Sequence, residues 1–420
     1  MQRVELCIKQ TPCPTPDTEV TPANLFAGPS YRLSTKCREL HMKYSSLCLN
    51  LILISAAIVF GSCSDDTPTE SRLTLDQQLQ KALDNGIQKY GGKGISAAII
   101  FPDGYTWDGA AGISHGTAAI TTETLFSADS ITKSFTAVTI IKMVEDGTIT
   151  LDDPVRKWFP PYANIDSTVS IRQLLNHTSG IFNITENPQL WQDIFSNRQR
   201  VWSADKVLTN YVLEPYFPRG TGWHYCNTGY IMLRKLIHDV NGAAISEVYR
   251  NRIFDPCGLT ETYLYAEETL PGTVAHGWFD INGDNSYEDI TINPLISFYS
   301  AAGGGIFATA LDLALWAQKI FIDGIVVTED QLDQMTDFYT PIPDQPLVAG
   351  YGLGLAHFNP DLFNGLTIYG HSGDAPGYAA GSLYLADYNV CLGIADNTQD
   401  GDNMWVINDL LAIITEHLDK

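Results

Sequence analysis

Strand-like segments stand near both ends of the chain, and this arrangement constrains the fold more than any other feature. Residues 381–386 and 390–396 are apolar runs separated by the turn formers Asp387-Tyr388-Asn389, and residues 95–101 form a similar run near the start. Two such runs joined by a short turn are typical of a hairpin. Because the middle of the chain is largely helical, we expect both ends to meet in one antiparallel sheet. The sequence therefore predicts an α+β fold with a largely helical middle domain.

Helical periodicity flanks these strands. Leucine and isoleucine recur at helical spacing from Leu73 to Ile87, before Gly91-Gly92. A second apolar face runs through residues 130–145, and a third through the closing residues 402–418. A spacing of three and four residues between apolar side chains predicts one buried helix face in each case. Helices should therefore cover the sheet and also follow Ser130 directly.

The N-terminal part has the features of a lipoprotein leader. The apolar run 47–60 is shorter than the ~20 residues that cross a bilayer, and it precedes Gly61-Ser62-Cys63. Such a run before small residues fits a secretion signal, and the cysteine resembles a bacterial lipidation site; the alternative is a short buried helix with a chance cysteine. We therefore divide the chain into an upstream segment of uncertain translation (1–41), a lipoprotein signal peptide (42–62), a tether (63–72) and one catalytic domain (73–420).

The charge balance excludes some partners and agrees with an envelope location. The chain has 25 Lys and Arg residues against 48 Asp and Glu residues, a net charge of −23. Such a surface repels nucleic acid, so no nucleic-acid partner is expected. We expect a lipoprotein of the cell envelope, periplasmic or exposed on the outer membrane, held to the membrane through Cys63. The later cysteines, Cys226, Cys257 and Cys391, should be free thiols.

The segment Ser130-Ile131-Thr132-Lys133 carries candidate nucleophilic chemistry. Positions i and i+3 of a helix share a face, so the serine hydroxyl and the lysine amine can meet. Serine becomes a nucleophile only when a base takes its proton, and a lysine in a dry site can be that base. Because this spacing is frequent by chance, the pattern taken alone favours an N-capping serine with an exposed lysine.

Two further motifs change that interpretation. Tyr225-Cys226-Asn227 and His371-Ser372-Gly373 follow Ser130 and Lys133 in the chain. Together they resemble the serine β-lactamase and penicillin-binding protein superfamily, in the branch of class C β-lactamases, D-alanyl-D-alanine carboxypeptidases and related esterases. The resemblance covers nearly all of residues 73–420. It extends to four more segments, at residues 125–129, 174–180, 255–259 and 302–313.

The resemblance implies a role for each residue. Ser130 would form an acyl-enzyme, while Lys133 and Tyr225 would share its proton, with the first acceptor left open. The backbone N–H groups of Ser130 and Asp374 would form the oxyanion hole. The implied catalytic residues are Ser130, Lys133, Tyr225 and His371, and the implied substrate-binding residues are Asn227, Ser372, Gly373 and Asp374. No cofactor and no metal are expected.

His371 stands where many members of the superfamily carry lysine. Histidine has an ordinary pKa of ~6.5, so we expect a weaker, pH-sensitive attraction for a substrate carboxylate and a second cation beside Tyr225 when it is protonated. We also expect activity to fall below about pH 6, as the catalytic base becomes protonated. This favours a D-alanyl-D-alanine carboxypeptidase-like, esterase or amidase activity. The alternatives are a class C-like β-lactamase and a penicillin-binding module without turnover. The expected partners are a small peptide, ester or β-lactam substrate, with peptidoglycan as a further candidate.

Three other features are expected to be structural. The acidic run from Asp280 to Asp289 lacks the Gly and Glu positions of a calcium loop and predicts a solvated turn. His177 lies in a loop segment without an evident partner. Cys226, between two site residues, should point away from the pocket.

Overall fold

The two ends of the chain meet in one eight-stranded sheet. The computed structural model describes residues 73–284, 286–291, 295–302, 304–342, 345–398 and 406–420, so the predicted upstream segment, leader and tether, with Cys63, lie outside the described residues. The strands, in chain order, are β1 (Gly94–Ile100), β2 (Thr106–His115), β3 (Ala118–Ala119), β4 (Phe126–Ser127), β5 (Thr262–Leu264), β6 (Trp278–Phe279), β7 (Glu288–Asp289), β8 (Ile306–Ala308), β9 (Val348–Tyr351), β10 (Ala356–Phe358), β11 (Ile368–Ala375), β12 (Tyr378–Leu385) and β13 (Val390–Asp396).

The order in the main sheet is β3-β2-β1-β13-β12-β11-β10-β9, and its neighbouring strands pair antiparallel. The N-terminal and C-terminal parts join where β1 pairs with β13, with Ile95 opposite Asp396 and Ile100 opposite Cys391. A smaller sheet has the strand order β4-β8-β5, and β6 pairs with β7 in a second small sheet. The predicted meeting of both chain ends in one antiparallel sheet is confirmed.

Helices cover both faces of the sheet and build the middle of the chain. They are α1 (Leu75–Tyr90), α2 (Thr132–Glu145), α3 (Ile171–Leu175), α4 (Pro188–Ser196), α5 (Ala204–Asn210), α6 (Asn227–Asn241), α7 (Ile245–Tyr249), α8 (Asp255–Cys257), α9 (Ile296–Ala302), α10 (Ala310–Phe321), α11 (Glu329–Met335) and α12 (Val406–Leu418). A π-helical turn, Arg250–Phe254, joins α7 to α8. The predicted α+β class with a helical middle is therefore confirmed.

The sheet is buried on both sides at its centre. On one face, Leu79 and Leu83 of α1 and Leu410 of α12 pack against Ile95 and Ile99 of β1. On the other face, alanines of α10 pack against Ala98 and Ile100. Every residue of β1 is buried, which explains why this strand is a continuous apolar run rather than an alternating one.

The helix boundaries agree with the sequence except before α2. Thr74 caps α1 in a reciprocal capping box, and Gly91 ends it with φ 84°, a conformation that glycine adopts at no steric cost. The helix predicted to begin at Ser130 begins instead at Thr132, after a 3₁₀ turn over Asp129–Ile131. Asp129 has φ 35°, outside the helical range, so the α-helix cannot extend back through it.

Two further sequence expectations concern ions and membranes. In the acidic turn, one carboxylate oxygen of Asp280 accepts the backbone N–H groups of Gly283 and Asp284 at 2.7 and 3.1 Å. Within the described ranges, His, Cys, Asp and Glu form no group of three that could hold a metal ion. Among the same residues, no helix combines the length and apolar character needed to cross a bilayer.

Candidate active site

Ser130 and Lys133 meet at the start of α2. The lysine Nζ atom lies 2.8 Å from the serine Oγ atom. Lys133 is 1% exposed, and burial lowers the pKa of its ammonium group to about 8, against the opposing attraction of Asp129. The lysine is neither exposed nor separate from the serine, and the start of α2 has no side-chain cap. The reading of an N-capping serine with an exposed lysine is therefore wrong.

Asp129 stands directly beside the nucleophile. The Ser130 hydroxyl donates to its Oδ2 atom at 3.1 Å, and a Cβ atom at Gly304 would lie 2.5 Å from its Oδ1 atom. Burial raises the pKa of this carboxyl group to about 6, while Lys133 and the hydrogen bonds oppose the rise. The sequence interpretation gave Asp129 no role.

Strand β11 passes very close to the turn that carries Ser130. A Cβ atom at Gly373 would lie 2.1 Å from the Ala128 carbonyl oxygen and 3.1 Å from the Ser130 backbone nitrogen. Only glycine permits this approach, because real Cβ contacts are longer. Gly373 therefore lets β11 bring the N–H group of Asp374 beside that of Ser130. The two predicted oxyanion-hole donors are thus neighbours.

Tyr225 also lies near Lys133. The lysine Nζ atom is 4.9 Å from the centre of the Tyr225 ring and 5.6 Å from that of Tyr230. A cation within ~6 Å of a ring face is attracted by the ring. Lys133 is thus close to both Ser130 and Tyr225.

His177 packs on Tyr225, a contact that the sequence did not indicate. Its ring centre lies 4.4 Å from that of Tyr225 and 4.5 Å from that of Tyr351. The Cys226 backbone N–H donates to its Nδ1 atom at 3.1 Å, and burial keeps the pKa of the imidazole well below its usual value. His177 is a neutral positioning residue that holds the Tyr225-Cys226 segment.

Asn227 begins α6 and faces a short 3₁₀ turn, Ile184–Glu186. Its side-chain amide donates to the Thr185 hydroxyl at 3.1 Å, and its backbone N–H donates to the Asn183 side chain at 3.1 Å. Asn227 is half-buried. These contacts orient the side-chain amide of Asn227. They also place the Ile184–Glu186 turn next to the candidate active site.

His371 is buried and hydrogen-bonded at both ring nitrogens. Its Nδ1 atom bonds the carbonyl oxygen of Ser372, so it carries the proton, and its Nε2 atom accepts from the Tyr351 hydroxyl at 2.8 Å. Burial, with a contribution from Lys133, lowers the pKa of His371 to about 3. The expectation that His371 becomes a second cation near neutral pH disagrees with this environment: the imidazole is neutral there.

The remaining predicted residues take different positions. Ser372 is half-buried and Asp374 is exposed on β11. The Cys226 thiol donates to the Ile181 carbonyl oxygen at 3.3 Å, and burial raises its pKa to about 11. Cys226, Cys257 and Cys391 are free and buried, as the sequence predicted.

Three residues at this site could not be identified from the sequence: Asp129, Tyr351, and His177 as a contact of Tyr225 and Cys226. Tyr351 lies in Gly350-Tyr351-Gly352-Leu353-Gly354, and this glycine-rich run is a signal that could have indicated a close approach of backbone. A Cβ atom at Gly352 would lie 2.0 Å from the Met335 carbonyl oxygen, and one at Gly354 2.5 Å from the Ala137 side chain on α2.

Comparison with known proteins agrees with this geometry. The sequence model of the β-lactamase family matches residues 79–414, which are most of the chain. The chain belongs to the β-lactamase family. The predicted membership of the serine β-lactamase and penicillin-binding protein superfamily, and with it a serine hydrolase fold, is confirmed.

Individual relatives are similar over most of the catalytic domain. Penicillin-binding protein 4* of Bacillus subtilis (strain 168) is 27% identical to this chain. The match covers 66% of this chain and 62% of the length of the Bacillus protein. The D-amino acid amidase of Ochrobactrum anthropi SV3, solved with D-phenylalanine, is 25% identical with a TM-score of 0.70, over 82% of this chain and 99% of the amidase. A D-stereospecific amidohydrolase from Streptomyces is 28% identical with a TM-score of 0.68, and the match covers 79% of this chain and 97% of the amidohydrolase.

Proposed function

We propose that this β-lactamase family member is an acyl-enzyme hydrolase that cleaves small amides or peptides of D-amino acids, of D-alanyl-D-alanine carboxypeptidase or D-amino acid amidase type. The observation that carries the proposal is the 2.8 Å contact between the Lys133 Nζ and Ser130 Oγ atoms. Solved relatives described as a D-amino acid amidase and a D-stereospecific amidohydrolase support the substrate class.

In the proposed first step, the Ser130 oxygen attacks the substrate carbonyl carbon. The serine proton passes to the neutral amine of Lys133, whose lowered pKa of about 8 leaves part of the population unprotonated at neutral pH. Proton transfer of this kind contributes ~10²–10⁴-fold to a rate. The carbonyl oxygen becomes an oxyanion, which the neighbouring N–H groups of Ser130 and Asp374 would stabilise.

In the second step, the carbon–nitrogen bond breaks and the leaving nitrogen takes up a proton. Tyr225, whose ring faces the Lys133 ammonium at 4.9 Å, is placed to pass that proton on. Water then attacks the ester on Ser130 by the reverse route and releases the acid. Asn227, oriented by Thr185, would bind the amide of the acyl group.

The experiment compares a panel of substrates on the purified chain. The panel contains D- and L-amino acid amides, a peptide ending in D-Ala-D-Ala, a p-nitrophenyl ester and nitrocefin. We expect turnover of a D-amide or the D-Ala-D-Ala peptide above nitrocefin, and loss of all turnover in Ser130→Ala. The exposed Ser196 provides the control variant, Ser196→Ala, which should keep full activity.

Each contrary result points to a different function. Dominant nitrocefin turnover would make the protein a class C-like β-lactamase. Dominant ester turnover would make it an esterase. Acylation by a fluorescent penicillin without turnover of any substrate would indicate a penicillin-binding module. Activity that survives Ser130→Ala would overturn the acyl-enzyme proposal itself.

We also propose that the protein is an envelope lipoprotein anchored through Cys63, with peptidoglycan fragments within reach. The support is the leader pattern, the apolar run 47–60 before Gly61-Ser62-Cys63. Expression in a Gram-negative host with labelled palmitate tests it: the chain should carry label and fractionate with membranes, and Cys63→Ala should remove the label. Absence of label in the wild-type chain would refute the anchor without bearing on the hydrolase.

A further inference from the structure

The Ser130 hydroxyl links two opposite charges. Its Oγ atom accepts a hydrogen bond from the Lys133 ammonium group at 2.8 Å and donates its own proton to the Asp129 Oδ2 atom at 3.1 Å. Because one oxygen atom makes both contacts, the ammonium and the carboxylate are separated by no more than the sum of these distances. An opposite charge ~4–6 Å away stabilises the charged form of a titratable group. In this arrangement Asp129 therefore stabilises the protonated form of Lys133.

The protonation state of Lys133 decides where the serine proton points. A hydroxyl group has a single proton to donate, and an ammonium group has no lone pair that could accept it. While Lys133 is protonated, the Ser130 proton is therefore directed to Asp129. Once Lys133 is neutral, its amine can accept the proton across the same 2.8 Å contact as the Ser130 oxygen attacks a carbonyl carbon.

The Asp129 carboxylate is held firmly beside the nucleophile. Asp129 is only 6% exposed, and a Cβ atom at Gly304 would lie 2.5 Å from its Oδ1 atom, so a larger residue there would collide with the carboxylate. The Gly304 carbonyl oxygen accepts from the Arg234 guanidinium at 2.8 Å. The φ of Asp129 is 35°, in a region that costs free energy for residues other than glycine. Residues held in such conformations cluster at functional sites.

Other titratable and charged groups face this pair from the elements packed against it. Those that face Lys133 are Tyr225 and Cys226 before α6, Tyr230 and Arg234 on α6, His177 after α3 and His371 on β11, while Tyr299 on α9 faces Asp129. Burial lowers the pKa values of both histidines, so these rings are neutral, and it raises the pKa of Cys226 to about 11, so this thiol is neutral too. Arg234 is a cation that opposes protonation of Lys133. Asp374, next to Gly373 on β11, has an exposed side chain, whose charge solvent screens. Of the groups named here, Asp129 is thus the buried anion that stabilises the Lys133 ammonium group.

We propose that Asp129 is a positioning residue that holds Ser130 and Lys133 in a resting state and thereby sets the pH above which Ser130 becomes nucleophilic. In the resting state the lysine is protonated and the serine proton points to the carboxylate. Loss of one proton from Lys133 frees the hydroxyl to donate to the amine. This inference rests on the proposed function, because it takes Ser130 as the nucleophile and Lys133 as its base. Burial lowers the pKa of Lys133 to about 8 against the attraction of Asp129, so removal of that attraction should lower it further.

A role of Asp129 as the base itself would give a different result. A base is needed at every pH, so its removal would slow acylation throughout, by the ~10²–10⁴-fold that proton transfer contributes. A residue that stabilises the protonated lysine slows the reaction only where that lysine is protonated. Its removal should therefore move the pH–rate profile to lower pH and leave the rate at high pH nearly unchanged.

Two variants remove the charge in different ways. Asp129→Asn keeps the shape and an oxygen acceptor for the serine proton, and asparagine tolerates the positive φ. Asp129→Gly removes the side chain and suits the same φ. Asp108, exposed on β2, provides the control Asp108→Asn. Acylation by a fluorescent penicillin is measured for each full-length form from pH 5.5 to pH 9.5, with Ser130→Ala as the blank.

We expect the midpoint of the profile to fall by about one pH unit in both Asp129 variants, which makes acylation at pH 7 about 5-fold faster than in wild type. The rate above pH 9 should be nearly unchanged, and Asp108→Asn should equal wild type at every pH. An unchanged or higher midpoint in the Asp129 variants, with melting temperatures equal to that of wild type, would overturn the inference. A loss of rate at every pH would assign the role of base to Asp129 and would overturn it as well.

A direct titration of Lys133 tests the inference without acylation. In protein labelled with ¹³C at the lysine Cε atoms, the nuclear magnetic resonance signal that is missing from Lys133→Met identifies this residue. It should titrate near pH 8 in wild type and at lower pH in Asp129→Asn and Asp129→Gly. The same titration midpoint in wild type and in both variants would overturn the inference even if no form is acylated. Label in Ser130→Ala, or none in any form, would instead overturn the proposed acyl-enzyme function.

Discussion

The hydroxyl of Tyr351 lies 2.8 Å from the Nε2 atom of His371, and both side chains are buried. The imidazole donates from Nδ1 to a carbonyl and accepts at Nε2, so its neutral form satisfies both nitrogens. A proton added at Nε2 would be buried beside Lys133, which opposes it. At this position the protein therefore has a neutral hydrogen-bonding group and not a cation.

The first prediction concerns the pH dependence contributed by His371. Because its pKa is lowered to about 3, the imidazole stays neutral as pH falls from 8 to 5. We expect His371→Asn to lower the hydrolysis rate while leaving the midpoints of the pH–rate profile unchanged. The measurement is the rate of amide hydrolysis from pH 4.5 to pH 9 for both forms. Disappearance of a transition near pH 6.5 in the variant would contradict the neutral assignment.

The second prediction concerns Lys133 as the proton acceptor. The working form is the neutral amine, which is populated above its pKa, so acylation should be lost as pH falls through about 8. This midpoint is higher than the value near pH 6 expected from the sequence for protonation of the base. Lys133→Met should lower acylation at pH 8 by about 10³-fold, within the range for general-base catalysis, and remove the transition.

The control for this prediction is Lys142→Met, at the last turn of the same helix. It removes one ammonium group from α2 without touching Ser130. An equal loss in both variants would indicate a helix defect, and an unchanged rate in Lys133→Met would assign the proton to another group.

The sheet could be predicted because its central strands are apolar runs at the chain ends, with turn residues between them. The capped helix α1 and the nucleophile pair Ser130 and Lys133 could be predicted because their contacts are local in sequence. Side chains three residues apart lie on one side of a 3₁₀ turn as well as of an α-helix, so the pair meets although Ser130 precedes α2.

The contacts of Asp129, His177 and Tyr351 could not be predicted, because each depends on segments far apart in the chain. The Asp129 carboxylate lies beside Gly304, and the ring of His177 meets those of Tyr225 and Tyr351. The neutrality of His371 has the same origin, since burial comes from packing and not from the motif. Sequence identified the reacting groups, whereas their charge states follow from the tertiary structure.

The third prediction tests the close approach of β11 to the nucleophile turn. In Gly373→Ala the new Cβ atom would collide with the Ala128 carbonyl oxygen, 2.1 Å away, so β11 or the turn must move. A displacement of about 1 Å at reacting atoms can cost ~10²-fold in rate, and we expect a loss of this size in acylation. The measurement is the acylation rate by a fluorescent penicillin.

Gly381→Ala, in the neighbouring strand β12, provides the matched control. A Cβ atom there meets only side-chain atoms of Ile394 and Leu383 at 3.2 to 3.5 Å, which can adjust. It should keep most of the activity. Full activity in Gly373→Ala would show that the separation of β11 from Ala128 does not matter for acylation.

The fourth prediction concerns the support of α2 by α10. The Trp316 ring is fully buried, stacks on Phe135 with ring centres 4.0 Å apart, and donates from Nε1 to the Ser134 hydroxyl at 2.8 Å. Trp316→Ala should lower the free energy of unfolding by about 3–5 kcal/mol, as for other buried aromatic side chains. Urea unfolding followed by circular dichroism measures it.

Trp316→Phe and Ser134→Ala divide this effect into its two parts. The phenylalanine keeps the stacking on Phe135 but loses the hydrogen bond, and Ser134→Ala leaves the indole N–H buried without its acceptor, which costs about 1–3 kcal/mol. In the double variant the two losses should be less than additive, because both remove the same bond. Strict additivity, or a loss below about 1 kcal/mol in Trp316→Ala, would mean that Trp316 does not anchor the helix that presents Lys133. In that case the position of the catalytic lysine would depend on α6 and on the β9–β10 segment instead.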